Sequence, residues 1–114
     1  MALIRPFVPA RDFARSIEFY KALGFGLEYE DASVAIFDFE GAGFLLQNYY
    51  VREFAENCMI QLFVNDLDAW WTRTEGLAEK FDVRAPVAPE MKDWGIRVGF
   101  LFDPTGVLWH VAEP

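Results

Sequence analysis

"DPTGVLWHVAEP" (residues 103–114) reads as a tight turn followed by a strand. His110, the only histidine of the chain, stands four residues after Gly106 in "GVLWH". An earlier stretch, "GFLLQ" (residues 43–47), has the same form, with Gln47 four residues after Gly43. The parallel extends backward. Asp12 precedes "FARSIEFYKALG", where Phe13, Ile17, Tyr20 and Leu23, joined by Ala14, mark one helical face and Gly24 is a natural stop. Asp66 precedes "LDAWWTRTEGLAEKF", where Leu67, Trp70, Thr74 and Leu77 share a face with Trp71 and Ala78, and Gly76 is the weak point. Each capped helix follows an apolar strand: "LIRPFVP" (3–9) in the first case and "CMIQLFVN" (58–65) in the second.

The elements between these landmarks complete the repeat. "FGLEYED", "SVAIFDFEG" and "GFLLQNYY" read as three strands after the first helix. "VREFAEN" (51–57) is polar enough for a connection. After the second helix come "DVRAPVA" as a short strand, "PEMKDWG" as a loop, then "IRVGFLF" and "VLWHVAE" as strands. The pattern is β-α-β-β-β, given twice. It predicts an α+β fold in which two modules, about 1–50 and 58–114, share one sheet surface. A repeat this short implies one domain over residues 1–114, not two independent ones.

Composition bounds the function. Hydrophobic residues make up 54% of the chain and aromatic residues 18%, ample for a core and too much for a disordered chain. Twelve Phe, four Trp and four Tyr exceed what a minimal core demands, so some rings are expected to line a cavity or an interface. A net charge of −8 argues against binding a phosphate backbone. It suits a cationic ligand, and equally plain solubility. Cys58, the single cysteine, excludes an intramolecular disulfide and reads as a small core residue. "MALIRPFVPARD" lacks the long apolar run of a signal peptide or membrane span, so the expectation is a cytoplasmic protein that inserts in no membrane.

"PFVPARDFARSIEFYKALGF", "FVNDLDAWW" and "WG" followed by "FLFDPTGVLWHVAE" cover nearly the whole chain. In order and spacing they resemble the glyoxalase/bleomycin resistance protein family of the vicinal oxygen chelate superfamily. The resemblance implies paired β-α-β-β-β modules that build a curved mixed sheet around a cleft, with helices on the convex side, and a homodimer. It also implies where a metal would bind: metal-dependent members carry His, Glu or Gln on the first and last strand of each module. By that resemblance the four positions here are Arg5, Gln47, Met59 and His110.

That set is poor for a divalent metal. Arginine is a permanent cation with no lone pair to donate. Methionine sulfur suits Cu(I) better than Zn, Mn or Fe(II), and neutral glutamine is a weak ligand. At ~4 Å and an effective dielectric of ~20, Arg5 would repel each unit of metal charge by about 4 kcal/mol. The expectation is therefore no metal and no cofactor, which brings the chain nearest the metal-free bleomycin-resistance-like members.

Strand alternation names what the cleft holds instead. If Met59 faces it, so do Gln61 and Phe63; Arg5 shares a face with Phe7 and Pro9, and Gln47 with Leu45 and Tyr49. His110 shares one with Leu108 and Ala112, leaving Val107, Trp109 and Val111 to the core. Trp94, on the loop before the penultimate strand, is a candidate lid or wall, with a dimer contact as the rival. Trp70 and Trp71 cannot both face inward, and Arg97 reads as a rim or surface residue. The expected ligand-binding set is Arg5, Phe7, Gln47, Tyr49, Met59, Gln61, Phe63, Trp94 and His110. Rings would stack on an organic molecule and a few polar groups would orient it.

The function expected is sequestration of a small aromatic or cationic molecule by a dimer, an antibiotic-resistance role by resemblance. The alternative is a metal-independent lyase or isomerase with His110 as general base, since an imidazole suits proton transfer near neutral pH. A metal-dependent glyoxalase- or dioxygenase-type enzyme ranks last.

Overall fold

The computed structural model describes residues 2–114. The first module contains β1 (Phe7–Pro9), α1 (Phe13–Ala22), β2 (Gly26–Glu30), β3 (Val34–Phe39) and β4 (Ala42–Gln47). A short helix, α2 (Arg52–Asn57), joins it to the second. There follow β5 (Met59–Phe63), α3 (Leu67–Trp71), a single 3₁₀ turn, α4 (Leu77–Phe81), β6 (Val87–Met91), β7 (Arg97–Phe102) and β8 (Leu108–Glu113). The strands form two four-stranded mixed sheets with the same order, β1-β4-β3-β2 and β5-β8-β7-β6. In each, the first strand pairs parallel with the last and the others pair antiparallel. The α+β class and the duplicated module are borne out; the strands divide into two hydrogen-bonded sheets of four.

Both capping aspartates act as read. Asp12 accepts from the Arg15 backbone N–H and Asp66 from that of Ala69, each at 3.1 Å, satisfying one orphan donor per helix. Ile17, Tyr20 and Leu23 are buried as the periodicity requires, while Phe13 is half-buried and Ala14 exposed. Trp70 is buried and Trp71 only half so.

Four element boundaries differ from the sequence reading. The stretch 51–57 contains a helix, held by an Arg52–Glu56 pair at 2.7 Å and by Asn57 donating to the Glu53 carbonyl; Ala55 is its one buried residue, too few to show a period. The second helix is broken at Gly76, whose φ of 76° leaves the helical region. Before the break, Thr72 and Thr74 hydroxyls donate to the carbonyls of Ala69 and Trp71, which loosens the helical ladder. The strand expected at 82–88 is displaced to Val87–Met91, and Pro89 is accommodated because β6 is an edge strand with a register shift between Val87 and Glu90. The first strand is confined to Phe7–Pro9, flanked or interrupted by prolines that lack a ladder donor.

One core serves both modules. Tyr20 of α1 packs its ring against Phe25, Phe37 and Phe44 of the first module and Trp109 of the second, with centroids 4.8–5.8 Å apart. Phe44 of β4 meets Trp109 of β8 directly at 5.3 Å, and Phe19 of α1 meets Phe81 of α4 at 5.4 Å. Each fully buried ring of this kind contributes roughly 1.5–3 kcal/mol. Side chains of α1 and the 3₁₀ turn cross the seam: Arg15 donates to the Phe81 carbonyl and Arg73 to that of Leu23. Gly24 permits the second contact, because a Cβ there would stand 2.6 Å from the Arg73 Nη1 and its φ is +94°. Phe44, Leu46, Trp109 and Val111 thus turn inward on a common core, and the alternate residues of the same strands point outward.

Candidate functional site

The outward face of the first sheet is read from its register. Phe7 pairs with Leu45, Leu45 with Ile36 and Ile36 with Tyr29, an apolar row across all four strands. Beside it Pro9 pairs with Gln47 and Gln47 with Val34. Arg5 lies before β1 and crosses the same face. Its Nη2 is 4.0 Å from Glu28. Its Nε is 3.8 Å from where a Cβ on Gly43 would sit, a position already within 2.8 Å of the Phe37 carbonyl oxygen. Only glycine fits at 43 without moving the strand. Phe7 and Tyr49 are each 51% exposed, and Gln47 is half-buried. Pro9, expected on this face, is buried.

The second sheet repeats the arrangement with different chemistry. Gln61 pairs with His110, and His110 with Phe100. Met59 pairs with Leu108, and Leu108 with Phe102; Phe63 pairs with Ala112. Met59, Ile60, Gln61 and His110 line a shallow hollow of about 180 Å³. The His110 ring meets the Phe100 ring edge to face, with centroids 4.8 Å apart. Its Nε2 is covered and has no hydrogen-bond partner among the described residues.

The expected site residues therefore fall into two groups. Arg5, Phe7 and Gln47 belong to the outward face of the first sheet, with Tyr49 just past its last strand. Met59, Gln61, Phe63 and His110 belong to that of the second. Trp94 belongs to neither row: it is exposed at the tip of the hairpin between β6 and β7, closed by Gly95 donating to the Lys92 carbonyl. Arg97 is held on the helix side, between Asp68 of α3 at 2.8 Å and Glu113 of β8 at 2.9 Å. The Arg97 hydrogen bond holds the Asp68 carboxyl below its ordinary range.

Sequence reading missed the outward residues of β3 and β7, namely Ile36, Phe100 and Phe102. Their strands were recognised, but which of them neighbours His110 depends on register, which periodicity alone does not give. It also missed a buried polar chain behind the site. The Trp109 indole N–H donates to the Tyr20 hydroxyl at 3.0 Å, and that hydroxyl donates to Asp103 at 2.6 Å. Asp103 also accepts from the backbone N–H groups of Thr105 and Val107 and so shapes the turn that opens "DPTG". Burial raises the Asp103 carboxyl to about 6 against the opposing pull of these hydrogen bonds. Burial, and then the nearby Asp103, push the Tyr20 phenol well above its usual value.

The four positions that resemblance marks for a metal do not fit one. Their donors are a guanidinium, an amide, a thioether and a single imidazole, and they divide between the two outward faces. Among the described residues no three His, Cys, Asp or Glu side chains come together in a way that could hold an ion.

No protein-family model matches the chain. A bleomycin resistance protein from Klebsiella pneumoniae is 29% identical over 117 residues, spanning 95% of this chain and 89% of that protein. A bleomycin-binding protein solved in complex with bleomycin superposes with a TM-score of 0.84 at 24% identity, covering 100% of this chain and 99% of the other. A lactoylglutathione lyase from Agrobacterium tumefaciens superposes with a TM-score of 0.71 at 16% identity, covering 99% and 94%. Binders and an enzyme thus share the scaffold, and the side chains on the outward faces must decide the chemistry. The resemblance seen in the sequence is borne out: the chain has the vicinal oxygen chelate fold of the bleomycin-binding and glyoxalase proteins.

Proposed function

We propose that the chain is a metal-free binding protein that sequesters a small aromatic or cationic organic molecule, with bleomycin the first candidate. The observation that carries this reading is the pair of outward sheet faces. They expose Phe7 and Tyr49 on one side and Met59 and Phe63 on the other, each about half exposed or more, around the few polar groups Arg5, Gln47, Gln61 and His110. Exposed rings interspersed with orienting donors are the make-up of an organic-ligand site rather than of a charged or hydrolytic one. His110 supports the same reading. Its ring lines the hollow beside Gln61, where it offers a ligand a surface to pack on.

The two faces point away from a common core, so one chain presents two walls and encloses neither. A homodimer that opposes the first-sheet wall of one subunit to the second-sheet wall of its partner closes two clefts. Each then combines Arg5, Phe7 and Gln47 with Gln61, Phe63 and His110. It also covers apolar surface that a small monomer would leave in water. The related bleomycin resistance protein makes bleomycin the natural first ligand. Titration of the purified protein with bleomycin, followed by tryptophan fluorescence and calorimetry, should give saturable binding with one ligand per subunit. No saturable binding at millimolar bleomycin would remove that candidate and leave the aromatic walls without their proposed occupant.

A further inference from the structure

This inference rests on the reading of the second sheet's outward face as a ligand wall. The row through His110 continues to Phe100 and then, on the edge strand, to Val87. Phe100 is half-buried and carries a second neighbour besides His110. Lys92, from the hairpin between β6 and β7, places its Nζ 4.8 Å from the centre of the Phe100 ring. The same ammonium is 2.8 Å from the Glu90 carboxylate. The Lys92 side chain is only 17% exposed, whereas that of Glu90 is 66% exposed. Lysine stems commonly lie on apolar surface while the head stays in water. Here most of the side chain is covered and the head is held over a ring. The next row repeats the arrangement, with the Arg84 guanidinium carbon 4.4 Å from the centre of the Phe102 ring. In a chain of net charge −8, this wall carries two cations on two rings.

We propose that Phe100 and Lys92 form the specificity element of this wall and select an aromatic ligand bearing an anionic group. The ligand ring lies in the hollow at Gln61 and His110, beside Phe100, and its carboxylate or sulfonate takes the Lys92 ammonium from Glu90. The exchange replaces one anionic partner by another on a group already largely out of water, so the desolvation cost falls on the incoming anion alone. A cationic group brought to the same place would meet Lys92 and Arg84 together. A ligand that also carries positive charge directs it toward the other wall, where Glu28 is 4.0 Å from Arg5.

The test uses 8-anilinonaphthalene-1-sulfonate as an anionic aromatic probe and proflavine as a cationic one, titrated by fluorescence. Lys92→Met keeps the stem and removes the charge; Lys21→Met removes the same charge from the exposed face of α1. A unit charge about 6 Å from the probe at an effective dielectric of ~40 corresponds to about tenfold in affinity. Lys92→Met should therefore weaken the sulfonate about tenfold and tighten proflavine, while Lys21→Met leaves both within about twofold. Glu90→Gln, which frees Lys92 without removing it, should tighten the sulfonate, so the proposal stays testable if Lys92→Met folds poorly. Equal shifts from Lys92→Met and Lys21→Met would overturn it, as would a sulfonate affinity unmoved by both Lys92→Met and Glu90→Gln. If the parent binds bleomycin but not the sulfonate, this proposal fails and the binding function stands. If the parent binds bleomycin and neither probe, the same holds, and failure with bleomycin as well overturns the reading on which it rests.

Discussion

Replacing Asp103 by Asn should remove a pH-dependent destabilisation whose size follows from the structure. Asp103 is 2% exposed and is the terminus of the Trp109–Tyr20–Asp103 hydrogen-bond chain. Its carboxyl is raised to about 6 by burial, against about 3.9 for an Asp in an unfolded chain. The folded protein therefore holds this proton more tightly than the unfolded one. Stability from this group is fully present below about pH 4 and declines as pH rises, until the folded form has also ionised at about pH 6. Two units at about 1.4 kcal/mol each give a loss of about 3 kcal/mol across that window. Asp31, Asp68 and Glu90, all held below their ordinary values by hydrogen bonds, act in the opposite direction. The difference between parent and variant therefore isolates the contribution of Asp103. The amide keeps an acceptor for the Thr105 and Val107 N–H groups, and its geometry matches the protonated acid. Urea unfolding followed by tryptophan fluorescence from pH 4 to 8 should show Asp103→Asn gaining about 3 kcal/mol on the parent as pH rises through 6, then no further change. A difference that stays constant within about 0.5 kcal/mol over the range would show that hydrogen bonding, not burial, sets the ionisation of this carboxyl.

Sedimentation at micromolar concentration should give twice the chain mass; a stable monomer there would leave each wall open to solvent and refute the closed cleft. Titration of chelator-treated protein with Zn, Mn, Ni and Fe(II) should reveal no site tighter than micromolar, and a stoichiometric ion bound through Gln47 and His110 would contradict the donor argument. His110→Gln preserves a hydrogen-bonding group in the hollow and should weaken bleomycin by no more than about 1–2 kcal/mol, whereas Phe63→Ala or Phe7→Ala, which removes a stacking wall, should cost as much or more. If His110 were instead a general base, His110→Gln would leave affinity intact and cut turnover on small carbonyl compounds by about 10²–10⁴-fold.

What the sequence disclosed divides along a physical line. The capping aspartates, the helical faces around Tyr20 and Trp70, and the inward set of Trp109 and Val111 depend on contacts within one element or on a period of two. Those signals are local, and they carried the module repeat; the four positions weighed for a metal came from the resemblance. The misplaced elements depend on competition between local and distant partners. The helix at 52–57 has one buried residue to announce it, and β6 tolerates Pro89 only because it lies at a sheet edge with an irregular register. The site suffers the same limit. Alternation collects Arg5, Gln47, Gln61 and His110 on one cleft face, whereas the structure divides them between the outward faces of two sheets, because alternation says nothing of how the two halves sit in space. Contact between Phe44 and Trp109 reveals that both sheets turn the same side inward.

That arrangement bears on how such a scaffold changes function. Each module contributes one outward sheet face, and the core beneath the two faces is built from the alternate residues of the same strands. Positions 5 and 59 can therefore carry Arg and Met, which suit no hard divalent ion, while Val8, Leu46, Ile60 and Trp109 go on packing the interior. The separation is not complete. His110 leans on Phe100, Phe100 is capped by Lys92, and Asp103 and Tyr20 fix the strand that carries His110 from beneath. A change at His110 is thus felt first by Phe100 and Lys92, on the outward face, and only through Trp109 by the core. Side chains on this outward face can change with little loss of stability, whereas a change at Tyr20 or Asp103 would disturb both modules at once.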